Sequence, residues 1–213
     1  YRPSSTAVFP GKNWIAITTF PGTPHFGRLA VTFTRFSGSV NPLAITTSDD
    51  QGSSWSEPTL LTPANSRCQG TQPVWLPDGA LVIVYWNFGD LGTLTDDALA
   101  CVRSVDGGRT FGSPRPINDA VQYYDAPTVR DGSFLPGASV SRMSGELFVT
   151  YQAFDGNRLP RVWVQRSADG GQSWSNPLAV SDNLQPNPDG LPASSPVSLG
   201  ESFNPAIDVS PDG

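Results

Sequence analysis

Ser48-Asp49-Asp50-Gln51-Gly52-Ser53-Ser54-Trp55 reads S-x-D-x-G-x-S-W, and the same pattern returns twice further along the chain. Ser104 to Phe111 (SVDGGRTF) gives S-x-D-x-G-x-T-F, and Ser167 to Trp174 (SADGGQSW) gives S-x-D-x-G-x-S-W. Three copies in register point to a repeat architecture. Each copy predicts a tight hairpin tip. The aspartate accepts hydrogen bonds from backbone N–H groups a little further on. Gly52, Gly108 and Gly171 supply positive φ without a Cβ clash. Trp55, Phe111 and Trp174 are apolar plugs that can bury beside the turn.

The repetition extends outward from the turns. A proline follows each aromatic by three residues, at Pro58, Pro114 and Pro177. Upstream, the segments that open at Gly27 (GRLAVTFTRFSG), Gly79 (GALVIVYWNFGD) and Gly145 (GELFVTYQAFDG) align column for column. Their β-branched and aromatic runs, each opening at glycine, predict strands. Every unit then reads as four strands. First strands are predicted at 13–20, 72–76 and 126–130, and the aligned segments are the second. Third strands are placed at 42–48, 98–104 and 161–167, and short fourth strands at 58–62, 114–118 and 177–181. A further first strand is predicted at 203–210, before a Pro211-Asp212-Gly213 turn like Pro77-Asp78-Gly79. Four antiparallel strands per unit of roughly 40–60 residues is the pattern of a β-propeller blade. The expectation is one all-β propeller domain over 1–213, with blades near 13–62, 71–118 and 124–181 and the first strand of a fourth at 203–210.

Composition supports many short strands: 21 glycines and 21 prolines stand against only 15% charged residues. The net charge of −6 and the scatter of the arginines argue against nucleic acid, which needs a basic stripe. No apolar run is long enough to span a membrane as a helix, and the first residues lack the layout of a secretion signal. Cys68 precedes a predicted first strand and Cys101 lies in a third strand. They either bond across the blade or remain two buried thiols. The single histidine, His25, is read as a structural or exposed loop residue, and no cofactor or metal is expected.

The three turns resemble the Asp-boxes, or bacterial neuraminidase repeats, of the sialidase-like superfamily. The resemblance covers nearly the whole chain, and the Lys12 to Ala16 stretch (KNWIA) also resembles bacterial sialidase-like exoproteins. It implies a sialidase-type propeller, secreted to an extracellular or periplasmic space. It also implies either an exo-α-sialidase-type glycoside hydrolase or a non-catalytic propeller that binds glycans or proteins. Enzymes of the family clamp a sugar carboxylate with three arginines and use a Tyr–Glu nucleophile with an Asp acid/base. The family's first arginine lies in [FY]-R-I-P, whereas this chain offers Tyr1-Arg2-Pro3 and lacks the isoleucine.

Topology places the Asp-boxes and the Pro-Asp-Gly turns on one face of the propeller, and propellers of this type generally bind ligand on the other face or in the channel. Loops on that second face carry Arg67, Asp90, Asp96, Asp97, Tyr123, Tyr124, Asp125, Asp155, Arg158 and Glu201. The Tyr124-Asp125 pair is the catalytic candidate, while Arg67, Asp90, Arg158 and Glu201 are candidates for ligand binding. The residues Ser48, Asp50, Gly52, Trp55, Ser104, Asp106, Gly108, Phe111, Ser167, Asp169, Gly171 and Trp174 are read as structural. A propeller hides its strand edges by closing a ring. Three blades therefore imply a partner for both ends, either the rest of a longer chain or a second copy.

Overall fold

The computed structural model describes residues 8–88, 97–118, 135–154, 160–181 and 205–210. Twelve strands form three separate antiparallel sheets of four, each in chain order, and no helix occurs among the described residues. The first sheet holds β1 (Phe9–Ile17), β2 (Leu29–Phe36), β3 (Leu43–Ser48) and β4 (Thr59–Leu60). The second holds β5 (Cys68–Trp75), β6 (Leu81–Phe88), β7 (Asp97–Ser104) and β8 (Arg115–Asn118). The third holds β9 (Gly137–Val140), β10 (Leu147–Phe154), β11 (Pro160–Ser167) and β12 (Leu178–Ala179). This is a partial all-β propeller of three four-stranded blades.

The second sheet explains why its sequence runs apolar without a break. Successive strand residues point to opposite faces, and both faces of this sheet are covered. Leu81, Ile83 and Tyr85 of β6 join Ala30, Leu43 and Ile45 of the first blade in one core. Val82, Val84 and Trp86 join Leu147, Val149 and Tyr151 of the third blade in the other. Burial of each such side chain contributes roughly 1.5–3 kcal/mol. Trp86 meets Tyr151 edge-on, with ring centroids 6.2 Å apart at 84°. The Tyr151 hydroxyl donates to Gln165 Oε1 at 2.7 Å and accepts from Asn118 Nδ2 at 2.8 Å, so a satisfied polar network ties β8 of one blade to the next. On the other interface Thr32 Oγ1 donates to Thr71 Oγ1 at 2.9 Å.

The same parity settles the cysteines. Cys68 and Cys101 are both buried and not joined in a disulfide. Cys68 belongs to the core shared with the first blade and Cys101 to the core shared with the third, so the sheet itself lies between them. Burial pushes the Cys101 thiol up to about 11.

Two strand predictions need correction. The segment 126–130 lies outside the described residues, and the strand that pairs with β10 in the first position is Gly137–Val140. Residues 205–210 form no strand ladder; they lie beside β9, where Ser139 Oγ donates to Asp208 Oδ1 at 3.0 Å. The first strands also start earlier than predicted, at Phe9 and Cys68.

Candidate functional site

The three eight-residue turns that resemble Asp-boxes hold regular polar networks among the described residues. In the second box Ser104 Oγ donates to Asp106 Oδ1 at 2.7 Å while accepting from the Gly108 N–H at 2.8 Å. Asp106 also accepts from the Thr110 N–H at 2.9 Å and the Thr110 hydroxyl at 2.6 Å. Asp50 with Ser48 and Ser54, and Asp169 with Ser167 and Ser173, repeat this arrangement. The Ser54 hydroxyl, then the Ser54 N–H and the Ser48 hydroxyl, hold Asp50 down at about 2. The Ser173 hydroxyl and N–H do the same for Asp169, also at about 2, and Asp106 is lowered chiefly by the Thr110 hydroxyl. These carboxylates are engaged by hydrogen bonds within their own turns.

Each box carries two left-handed residues in succession: Gln51-Gly52, Gly107-Gly108 and Gly170-Gly171. The aromatic ends differ. Phe111 and Trp174 pack against the two inter-blade cores, whereas Trp55 is 42% exposed and bonds only back to Gly52 O.

The chemistry a propeller can host gathers where first strands converge. Strands β1, β5 and β9 and the 205–210 segment surround a cavity of about 450 Å³ at the end of the axis nearer the boxes. Ile17, Phe20 and Val74 give it an apolar wall, while Ser139, Arg142 and Asp208 supply its polar groups. Arg142 Nη2 donates to Thr19 O at 3.2 Å and its guanidinium lies 5.3 Å from the Phe20 ring centroid. Asp208 Oδ1 accepts from Ser139 Oγ and from the Val209 N–H at 2.9 Å. A hydroxyl-rich or anionic small molecule could meet one cation and one carboxylate there. A pair of carboxylates set for acid/base work is absent among the described residues of this cavity.

At the opposite end the first strands share a feature that sequence reading missed. β1 is bulged between Gly11 and Trp14, and β5 between Gln69 and Gln72. The two bulges occupy the same place in the repeat, with Lys12 (φ 51) and Gly70 (φ 74) left-handed. A Cβ on Gly70 would approach Leu135 Cδ2 to 2.8 Å, so the chain entering the third blade presses directly on the bulge. Glycine signals one of these sites, but Lys12 conceals the other.

Of the predicted site residues, Arg67 alone has a described side chain. It is exposed before β5, and its carbonyl accepts the Phe88 N–H at 2.8 Å on the face away from the boxes. Asp97 opens β7 opposite Phe88. Asp90, Asp96, Tyr123, Tyr124, Asp125, Asp155, Arg158 and Glu201 lie outside the described residues, as do Tyr1, Arg2 and Pro3. Among the described residues, Arg67 and Asp97 thus both lie beside Phe88. Arg142 and Asp208 were missed because β9 was sought at 126–130, which hid the turn that carries Arg142. His25 is half-buried in the β1–β2 turn, 6.4 Å from the Trp75 ring. Burial, then the nearby Arg28 and Arg109, lower its pKa. No group of three metal-ligating side chains occurs among the described residues.

Neither a protein-family model nor a curated relative matches the sequence. Solved structures do match. A Hadza microbial sialidase, Hz136, is 20% identical with a TM-score of 0.56, over 81% of this chain and 38% of the sialidase. The alpha-L-arabinofuranosidase Arb93a of Fusarium graminearum, solved with an iminosugar inhibitor, is 13% identical with a TM-score of 0.57. That match covers 80% of this chain and 50% of the enzyme. The chain thus spans half or less of the length of these neighbours. What it shares with them is the fold, a β-propeller of the sialidase-like type.

Proposed function

We propose that the chain belongs to a secreted, glycan-acting propeller of the glycoside-hydrolase kind, with exo-α-sialidase chemistry as the specific reading. The observation that carries it is the repeated bulge in β1 and β5 at the end of the axis away from the Asp-boxes. Bulges concentrate at barrel rims and beside active sites, where they re-aim side chains. Arg67 precedes β5 at that end, and the sequence between β6 and β7, β8 and β9, and β10 and β11 carries Asp90, Tyr124, Asp125 and Arg158. In this reading a carboxylate beside Tyr124 makes its hydroxyl nucleophilic, a tyrosine variant of the usual two-carboxylate glycosidase. Arginines such as Arg67 and Arg158 pair with the sugar carboxylate. Compartments outside the cytosol, extracellular or periplasmic, suit a glycan-acting enzyme.

A non-catalytic glycan- or protein-binding propeller is the second reading. It is favoured by the axial cavity, whose one described carboxylate, Asp208, is already held by Ser139 and Val209. Assays of the complete protein with fluorogenic α-sialosides and α-L-arabinofuranosides separate the two. The enzyme reading expects turnover that drops at least about 100-fold in Tyr124→Phe and Asp125→Asn. Saturable glycan binding without turnover supports the second reading, and the absence of both contradicts the proposal.

A further inference from the structure

A crevice recurs where the outer strands of one blade meet the Asp-box of the next, and its charge reverses between the two interfaces. At the first interface Thr47, Asp49, Glu57 and Thr59 line a crevice of about 620 Å³ together with Gly108 and Arg109 of the second box. At the second, Arg103, Val105, Ser113 and Arg115 occupy the same four repeat positions. They line a crevice of about 530 Å³ with Gly171 and Gln172 of the third box. Two carboxylates are thus replaced by Val105 and Ser113, and two threonines by arginines. No carboxylate lines the second crevice among the described residues. The difference belongs to the side chains, since the backbone repeat is common to both.

Register puts the two guanidinium groups on one face. Cys101 of β7 pairs with Arg115 of β8, and Cys101 belongs to the core shared with the third blade. Directly opposed residues share a face, and so do alternate residues along a strand. Arg103 therefore stands on the side of Arg115, as its diagonal neighbour. Arg103 Nη2 donates to Asp78 Oδ2 at 2.8 Å, while its Nε is shut from solvent with no partner among the described residues. Arg115 is exposed, and its guanidinium has no ion pair or hydrogen bond among the described residues. Asp169, in the facing box, is held by the Ser173 N–H and hydroxyl. In the first crevice, by contrast, Arg28 binds Asp49 from Nε and Nη2 at 2.5 and 2.6 Å. A chain of net charge −6 therefore gathers two cations at the second crevice against the single counter-charge of Asp78.

We propose that Arg103, Ser113 and Arg115 form a binding site for the oxyanion, sulfate or carboxylate, of a small acidic molecule. Guanidinium forks match the oxygens of such groups. The Ser113 hydroxyl adds a donor, and Val105 and Pro114 offer apolar contact to whatever carries the anion. The volume falls within the roughly 300–1,000 Å³ of small-molecule sites. The site lies on outer strands, away from the axis, and is independent of the activity proposed above.

The test is a set of NMR titrations of the 213-residue chain at fixed ionic strength in chloride, with sodium sulfate, acetate and glucuronate as probes. The expected result is saturable shifts confined to Arg103, Ser113, Arg115 and Gln172, with binding at least about tenfold weaker in Arg115→Gln. Arg115→Lys, which keeps the charge and loses the fork, should give up part of that affinity. Glucuronate binding more tightly than acetate supports a sugar as the carrier, and equal binding supports a simpler acid. Shifts spread over the arginines of the whole chain, affinity unchanged in both Arg115 variants, or no saturation below about 50 mM of any probe overturns the proposal.

Discussion

Serine, aspartate and glycine in each Asp-box bond to one another within eight residues, so their chemistry is spent on shape. Asp50 and Asp169 sit near 2 in the folded chain, below the usual carboxylate value of about 3.9. A carboxyl whose folded pKa is depressed contributes stability above its unfolded pKa and loses it as pH falls toward the folded one. Thermal melts from pH 7 to pH 2 should therefore show Tm holding down to about pH 4 and falling between about 4 and 2. A Tm that is flat over that window would contradict the geometry. Gly107→Ala combines a left-handed φ with an overlap on Arg28, and is expected to cost more than about 2 kcal/mol in a denaturant melt. Arg28→Ala in the same background should recover only a part of the steric cost, because the His25 ring would still lie 2.7 Å from the added Cβ.

Elements were legible to the degree that their signals are local. The boxes and the Pro-Asp-Gly turn before β6 could be read because each carries its own hydrogen-bond partners, as when the Ala80 N–H reaches Asp78 Oδ1 at 2.9 Å. The turn before β10 makes the same connection with Ser141 and Gly145, where the Gly145 N–H reaches Ser141 O at 2.9 Å. Lacking the proline and aspartate, it left β9 misplaced. The exposure of Trp55 was likewise illegible, since an aromatic plug is buried by a neighbouring blade and not by its own turn. The candidate site was least legible of all. Its loop residues have no repeat to fix them, and the polar groups of the axial cavity come from β9, the turn after it and the distant 205–210 segment.

Pairings between elements carry two further expectations. Tyr151→Phe removes the hydroxyl that links Asn118 to Gln165 inside the fold, and a loss of about 1–3 kcal/mol is expected in chemical unfolding. An unchanged midpoint would show that this hydroxyl contributes nothing, since Asn118 Nδ2 also donates directly to Gln165 Oε1 at 3.1 Å. Cys68 and Cys101, buried on opposite faces of the second sheet, should resist a thiol reagent in the native chain and both react in denaturant. A product that reacts only after reduction would mean a disulfide the parity argument forbids.

At the scale of the molecule, the blades are alike in sequence but unequal in environment. The second sheet is covered on both faces, while the outer faces of the first and third leave Ile15, Ile17, Leu178 and Val180 exposed. Stability is accordingly graded across the arc rather than shared equally. Whatever completes the propeller would act on those outer faces, and would leave the middle blade as it is.

Native-state hydrogen exchange, resolved by residue on the 213-residue chain, reads that gradient directly. The stacked-blade account predicts that amides of β6, from Leu81 to Phe88, exchange more slowly than their counterparts in β2 and β10. Equal protection in the three strands, or fastest exchange in β6, would show that the second sheet is not held between the other two.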